Sequence, residues 1–161
     1  MYVHIFATKV VKIGEAIKVK SFNNEYHKLM VNLQFSNSWL QEKLVNWLKP
    51  YNLTLQQFNV LRILRGQHPK PASINIIIER MLDKSSNASR LVEKLRVKHL
   101  VDRSTNQFDR RQVDVLITQK GLDLLLKVDN TFTSIEDQFK HLSIKEAETL
   151  NNLLDKFRTH I

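Results

Sequence analysis

Two short clusters of side chains stand out for the chemistry they can do. In the first, Lys84-Ser85-Ser86-Asn87-Ala88-Ser89-Arg90 and then Lys94, short hydrogen-bonding side chains precede long cationic ones. Hydroxyls and amides can approach DNA base edges closely, and Arg or Lys further along can reach guanine or phosphate. The second, Asp109-Arg110-Arg111, sets adjacent guanidiniums in a polar stretch over 104–111. Such a tip suits a DNA minor groove, where negative potential is concentrated. Asp109 is an odd residue for a phosphate contact, and its expected part is to hold the Arg111 guanidinium by a charge-assisted hydrogen bond.

Each cluster also has a plainer reading. The first can be an ordinary solvated helix face, and the second a charged turn that keeps edge strands from pairing with other chains. Charge distribution favours the binding reading. The chain carries a formal net charge of +9, and 84–120 holds nine basic residues (Lys84, Arg90, Lys94, Arg96, Lys98, Arg103, Arg110, Arg111, Lys120) against four acids, a local balance of +5. A strongly basic chain seeks polyanions, nucleic acid first and an acidic membrane surface second. Glu93 speaks mildly against, since it would repel phosphate unless it pairs with Arg90 or Arg96.

The elements that must position these clusters follow from periodicity and capping signals. Apolar residues at three- and four-residue steps predict one helix over 13–49, stopped by Pro50. Thr54 and Gln57 form a capping box for a second helix ending near Gly66, and His68-Pro69-Lys70-Pro71 reads as a loop. A third helix starts after Ser73 and runs to Met81 or Leu82, and Asp83 or Ser85 is available to cap a fourth over 86–98. On that fourth helix Ala88, Leu91, Val92 and Leu95 form a buried stripe, which turns Ser86, Arg90, Glu93 and Val97 outward. Two strands, 100–103 and 113–117, flank the polar tip. Thr118 caps a fifth helix reaching about Phe139, and Ser143 with Glu146 opens a last one through Phe157. Two short helices joined by a tight turn are a helix-turn-helix candidate.

Helix-turn-helix, then Leu100-Val101-Asp102-Arg103, then Asp109-Arg110-Arg111 ahead of Ile117-Thr118 and Gly121, resembles the winged helix-turn-helix of the MarR family of bacterial transcription regulators. The likeness extends over about 13–158. It implies a mainly α fold with a small β-hairpin wing, the winged helix-turn-helix at 54–118 flanked by N- and C-terminal dimerisation helices at 13–50 and 119–161. It also implies a homodimer on a pseudo-palindromic double-stranded operator, acting as a repressor, with reading helices in successive major grooves and wings in flanking minor grooves. Ser86, Asn87, Ser89, Arg90 and Lys94 would then form the major-groove surface and Arg111, braced by Asp109, the wing tip, with Lys84, Ser85, Arg103 and Arg110 as further DNA-binding residues. Three features depart from the family pattern: His99 occupies the slot where the reading helix usually ends in Gly, the turn before that helix also lacks Gly, and Ile78 stands where a small residue is common.

Dimerisation has a physical argument of its own. The winged part can cover only some of the apolar surface offered by Phe22, Trp47, Leu126, Phe132, Leu150 and Phe157, and surplus apolar helix faces usually meet another subunit. The alternative is that these helices close on each other within one chain. Members of the family often bind phenolic effectors, and Tyr26, Phe35, Trp39 and Trp47 could line an aromatic effector pocket, chiefly near Tyr26 and Trp39. At helical spacing the simpler reading of those rings is core packing.

Other functions find little support. A length of 161 residues with 42% apolar content suffices for one domain over 1–161, and 3 Gly and 3 Pro leave no linker. The absence of Cys removes disulfides, thiolate metal sites and thiol chemistry, and fits a reducing cytoplasm. Residues 1–11 are broken by His4 and Lys9 and lack a cleavage site, and no stretch approaches the ~20 apolar residues of a membrane span. The sequence therefore reads as cytoplasmic, with no membrane partner. The histidines, His4, His27, His68, His99, His141 and His160, show no metal-binding spacing. With no phosphate loop, nucleophile elbow or paired carboxylates, the expectation is no cofactor and no enzyme. A protein-interaction adapter that has lost DNA binding is the alternative of a different class.

Overall fold

The computed structural model describes residues 10–159, so His4, His160 and nearly all of 1–11 lie outside the described residues. The chain divides between Lys43 and Leu44 into two compact units. In the first, α1 (Ile13–Ala16) is followed by a break, and then α2 (Glu25–Leu48) runs on into the second unit. One helix over 13–49 is thus corrected to two. The physical reason is a left-handed Lys18 (φ 58°), around which Lys18 and Val19 N–H close on the Glu15 and Gly14 carbonyls at 3.3 and 2.9 Å. That double closure is a Schellman stop, here built without glycine at the left-handed position. Asn24 then restarts the helix, its Oδ1 accepting the His27 N–H at 2.8 Å.

The second unit holds most of the core. After a 3₁₀ turn (Lys49–Tyr51) comes α3 (Leu55–Gln67), with the Thr54–Gln57 capping box formed as its sequence predicts. Ser73 caps α4 (Ile74–Arg80), and α5 (Ala88–Val97) follows the turn. The sheet has three strands rather than two. The pair β1 (Ala72–Ser73), missed in the sequence, lies antiparallel to β3 (Val113–Ile117), whose other edge pairs with β2 (Val101–Thr105), giving the order β1-β3-β2. The register sets Val101 opposite Ile117 and Ala72 opposite Val115, all four buried. Apolar alternation therefore makes β3 the central strand, while β2 presents a polar edge that discourages pairing with other chains. Leu48, Leu61, Leu64, Ile77, Val92, Leu95, Leu125 and Val128 complete the core beneath this sheet.

Thr118 caps α6 (Gln119–Asp129), its Oγ1 accepting the Gly121 N–H at 3.1 Å. A continuous helix to Phe139 is corrected here as well, for α6 gives way to a turn, a short α7 (Thr133–Glu136) and a 3₁₀ turn (Asp137–Phe139). Thr131 supplies the reason. Its Oγ1 donates to the Val128 carbonyl at 2.9 Å, accepts the Trp47 Nε1–H at 2.9 Å and lies 2.9 Å from the Tyr51 hydroxyl. A side chain so engaged competes with helix continuation. Trp47 packs its ring between Phe58 and Phe132 at 5.3 and 5.5 Å. The Ser143–Glu146 box opens α8 (Ile144–Phe157) as predicted. No helix among the described residues is long and apolar enough to cross a membrane.

Candidate nucleic-acid interface

Helices α4 and α5 are joined by a turn braced by side-chain hydrogen bonds. Asn59 on α3 accepts the Leu82 N–H at 3.0 Å, which fixes the end of α4. The Asp83 carboxylate accepts from Ser85 Oγ at 2.6 Å, Ser86 Oγ at 2.7 Å and the Ser85 N–H at 3.0 Å. Those bonds, the Ser85 hydroxyl foremost, hold its pKa down to about 2. Asp83 therefore organises the turn and does not cap α5. Neither does Ser85. The cap is Asn87, whose Oδ1 accepts the Arg90 N–H at 2.9 Å, so the helix begins at Ala88 rather than Ser86. Lys84 turns its ammonium onto the open C-terminal carbonyls of α4, Ile78 at 3.0 Å and Glu79.

The stripe on α5 packs as its spacing predicts, with Ala88, Val92 and Leu95 buried and Leu91 half-buried. Ser89, Arg90 and Lys94 are exposed on the other side. Glu93 is taken up twice, by a two-pronged pair with Arg96 (2.8 to 3.2 Å) and by Arg103 of β2 at 3.8 Å. The hydrogen bonds from Arg96, then the charges of Arg96 and Arg103, draw its pKa below the ordinary glutamate value. The objection that Glu93 would repel phosphate is answered by Arg96, not Arg90. Among the described residues no ion pair engages Arg90, Lys94, Arg110 or Arg111. Lys98 instead points inward, donating to Gln57 Oε1 at 3.2 Å and to the Asn52 carbonyl, and burial followed by the nearby Lys94 charge lowers its pKa.

Helix α5 ends at a left-handed His99 (φ 60°), with His99 N–H on the Arg96 carbonyl at 2.8 Å and Leu100 N–H on that of Leu95 at 3.0 Å. This Schellman stop aims the chain into β2. Thr118 then ties the hairpin base to that corner, its Oγ1 donating to the His99 carbonyl at 2.9 Å and its N–H to that of Leu100 at 3.1 Å.

The hairpin tip is built on two side chains. Asn106 Oδ1 accepts the Phe108 and Asp109 N–H groups at 2.8 and 2.9 Å, while its Nδ2 donates to both Asp114 oxygens at 3.0 Å. Asp109 accepts the Arg111 backbone N–H at 2.9 Å and the Gln112 side-chain amide at 3.0 Å. The expected brace on the Arg111 guanidinium is thus corrected to a brace on its backbone: an aspartate three bonds from its own chain reaches an N–H two residues on more readily than a long side chain. Arg110 and Arg111 stand exposed. Phe108, absent from the sequence-based candidates, is 98% exposed beside them. Its only signal in the sequence is one aromatic residue inside a polar run. In the first unit Tyr26 and Trp39 are 84% and 37% exposed, so neither is a core ring in this chain. Among the described residues no group of three or more His, Asp or Glu could hold a metal ion.

A helix pair joined by a braced turn, followed by a hairpin tied to the second helix's end, defines a winged helix-turn-helix protein. The family model described as the MarR family matches residues 51–112. The HTH-type transcriptional regulator Hpr of Geobacillus thermodenitrificans is 32% identical over 111 residues, 69% of this chain and 52% of that protein. This chain therefore spans about half the length of that relative. The HTH-type transcriptional regulator MgrA of Staphylococcus aureus is 28% identical over 138 residues, 83% of this chain and 92% of that protein. Among solved structures, an E. coli MarR mutant complexed with operator DNA superimposes with a TM-score of 0.74 at 24% identity, covering 86% of this chain and 99% of that one. The S. aureus MepR–DNA complex does so with 0.74 at 20%, covering 88% and 100%. These two likenesses show the fold. A match to the MarR family thus covers residues 51–112, and the relatives of the chain in sequence and in fold are MarR-like regulators.

Proposed function

We propose that the chain is a homodimeric, sequence-specific double-stranded DNA-binding transcription regulator that represses by occluding a promoter and responds to a small aromatic effector. The observation that carries the reading is the state of the charges. Arg90 and Lys94 on α5, with Arg110 and Arg111 on the wing, are exposed cations without ion pairs among the described residues, while the nearest acids, Glu93 and Asp109, are engaged by their neighbours. Cations left free in this way are available to phosphate and guanine. The operator complexes formed by the E. coli MarR mutant and MepR, on the same fold, support the same reading.

Dimerisation is supported by apolar side chains that the single chain leaves in water. Leu126 on α6, and Leu153 and Phe157 on α8, are 61%, 58% and 62% exposed, a pattern usual for a face that meets another subunit. The effector part of the proposal rests on Tyr26 and Trp39 in the first unit, whose rings reach the surface. Selection of bound fragments from genomic DNA, followed by footprinting, tests the whole. A two-fold dimer predicts an enriched pseudo-palindrome with half-site centres about 10 base pairs apart. Absence of any enriched sequence, or enrichment of a single unpaired half-site, overturns it.

A further inference from the structure

We propose that Phe108 is an apolar probe of the DNA minor groove, its ring seated against sugar edges and the groove floor when the wing docks. The inference rests on the DNA-binding reading above. A phenyl ring exposed to 98% gains nothing from burial in the fold that carries it, and is open to a partner outside this chain. It is nevertheless held in place. The backbone on either side is tied by Asn106 Oδ1 to the Phe108 and Asp109 N–H groups, by the Gln112 N–H on the Asp109 carbonyl at 2.9 Å, and by the Asn106 N–H on the Gln112 carbonyl at 3.0 Å. A ring on a stiff turn loses little freedom when it binds.

The surroundings select the partner. Arg110 and Arg111 follow within three residues, both exposed and without an ion pair among the described residues, and Asp109 is occupied by the Arg111 N–H and the Gln112 amide. An apolar ring flanked by free guanidiniums matches a channel with anionic walls and an apolar lining, which is the minor groove of duplex DNA; wedge residues of this kind are a known means of entering it. An acidic protein surface could satisfy the arginines but would set carboxylates against the ring.

The test compares the full chain with Phe108→Ala and Phe108→Leu on three duplex polymers, poly(dA-dT), poly(dI-dC) and poly(dG-dC). The first two share a minor groove free of the guanine 2-amino group, and the third does not. Phe108→Ala is expected to weaken binding about tenfold on the first two polymers and less than about twofold on the third, with an unchanged salt slope because no cation is lost. Phe108→Leu keeps most of the affinity. Both variants keep the wild-type melting temperature, since the ring packs against nothing. Wild-type affinity for Phe108→Ala on all three polymers overturns the proposal, and so does an equal loss on all three. A wild-type chain that binds none of them in a salt-dependent way overturns the DNA-binding reading itself, a result distinct from either.

Discussion

Replacing Gly121 with Ala adds one methyl group where the structure has no room for it. A Cβ there would lie 2.4 Å from the Leu100 carbonyl oxygen and 2.7 Å from Ile117 Cγ1, the first backbone and the second a core side chain. The first turn of α6 must then move off the hairpin base, where overpacking costs about 1–3 kcal/mol. The same shift strains the Thr118 cap, worth about 1 kcal/mol, because its acceptor bond is to Gly121 itself. Alanine returns about 1 kcal/mol through its better helix propensity. The net expectation is a loss of about 1–3 kcal/mol, or a fall in Tm of about 3–10 °C for a chain of this size. Gly66, in the last turns of α3, is the control: nothing lies within 4 Å of its added Cβ, so Gly66→Ala should gain about 0.5–1 kcal/mol. Urea unfolding at fixed protein concentration reads both as shifts of midpoint at constant m. Equal or greater stability of Gly121→Ala than of the wild type would refute the close approach of α6 to the hairpin base.

Three further outcomes are expected. The Asp83 carboxyl should titrate near pH 2, below its ordinary value, so its support of the turn is complete above about pH 4 and is lost as pH falls through 2; carboxyl NMR should show Ser85→Ala moving that pKa upward. His99→Gly relieves a left-handed residue and should stabilise by about 0.5 kcal/mol, whereas His99→Val, β-branched at positive φ, should destabilise by about 1–2 kcal/mol, both read by chemical denaturation. Glu93→Gln releases Arg96 and Arg103, so non-specific duplex affinity measured by fluorescence anisotropy at low salt should rise and its salt dependence should steepen.

Three helix caps were legible in the sequence because their chemistry is local. Thr54 with Gln57, Thr118, and Ser143 with Glu146 each act within three residues, and each forms. The stripe of Ala88, Val92 and Leu95 was legible for the same reason. What periodicity could not show is where a helix stops without a glycine. Lys18 adopts the left-handed conformation while apolar spacing continues past it, and Thr131 ends α6 through partners on Trp47 and Tyr51 far away in the chain. The two-residue β1 has no pattern to read, and exists because β3 offers an open edge. At the candidate interface, the residue types were readable but the division of labour among them was not. Asn87 and Asp83 are both good caps in isolation, and the neighbouring serines decide between them by claiming Asp83. Lys84 and Lys98 look as free as Lys94 in sequence, yet carbonyls of α4 and Asn52 draw them away.

In the proposed function the free cations of α5 and the wing contact duplex DNA. Its most direct test is the affinity of the full chain for one selected duplex across a range of salt concentrations, for the wild type, Arg90→Ala, Arg111→Ala and the double variant. Expected are a linear fall of log K with log salt, a slope shallower by about one for each arginine removed, and a larger loss of affinity in the double variant. Unchanged affinity and slope in the double variant would contradict the proposed function.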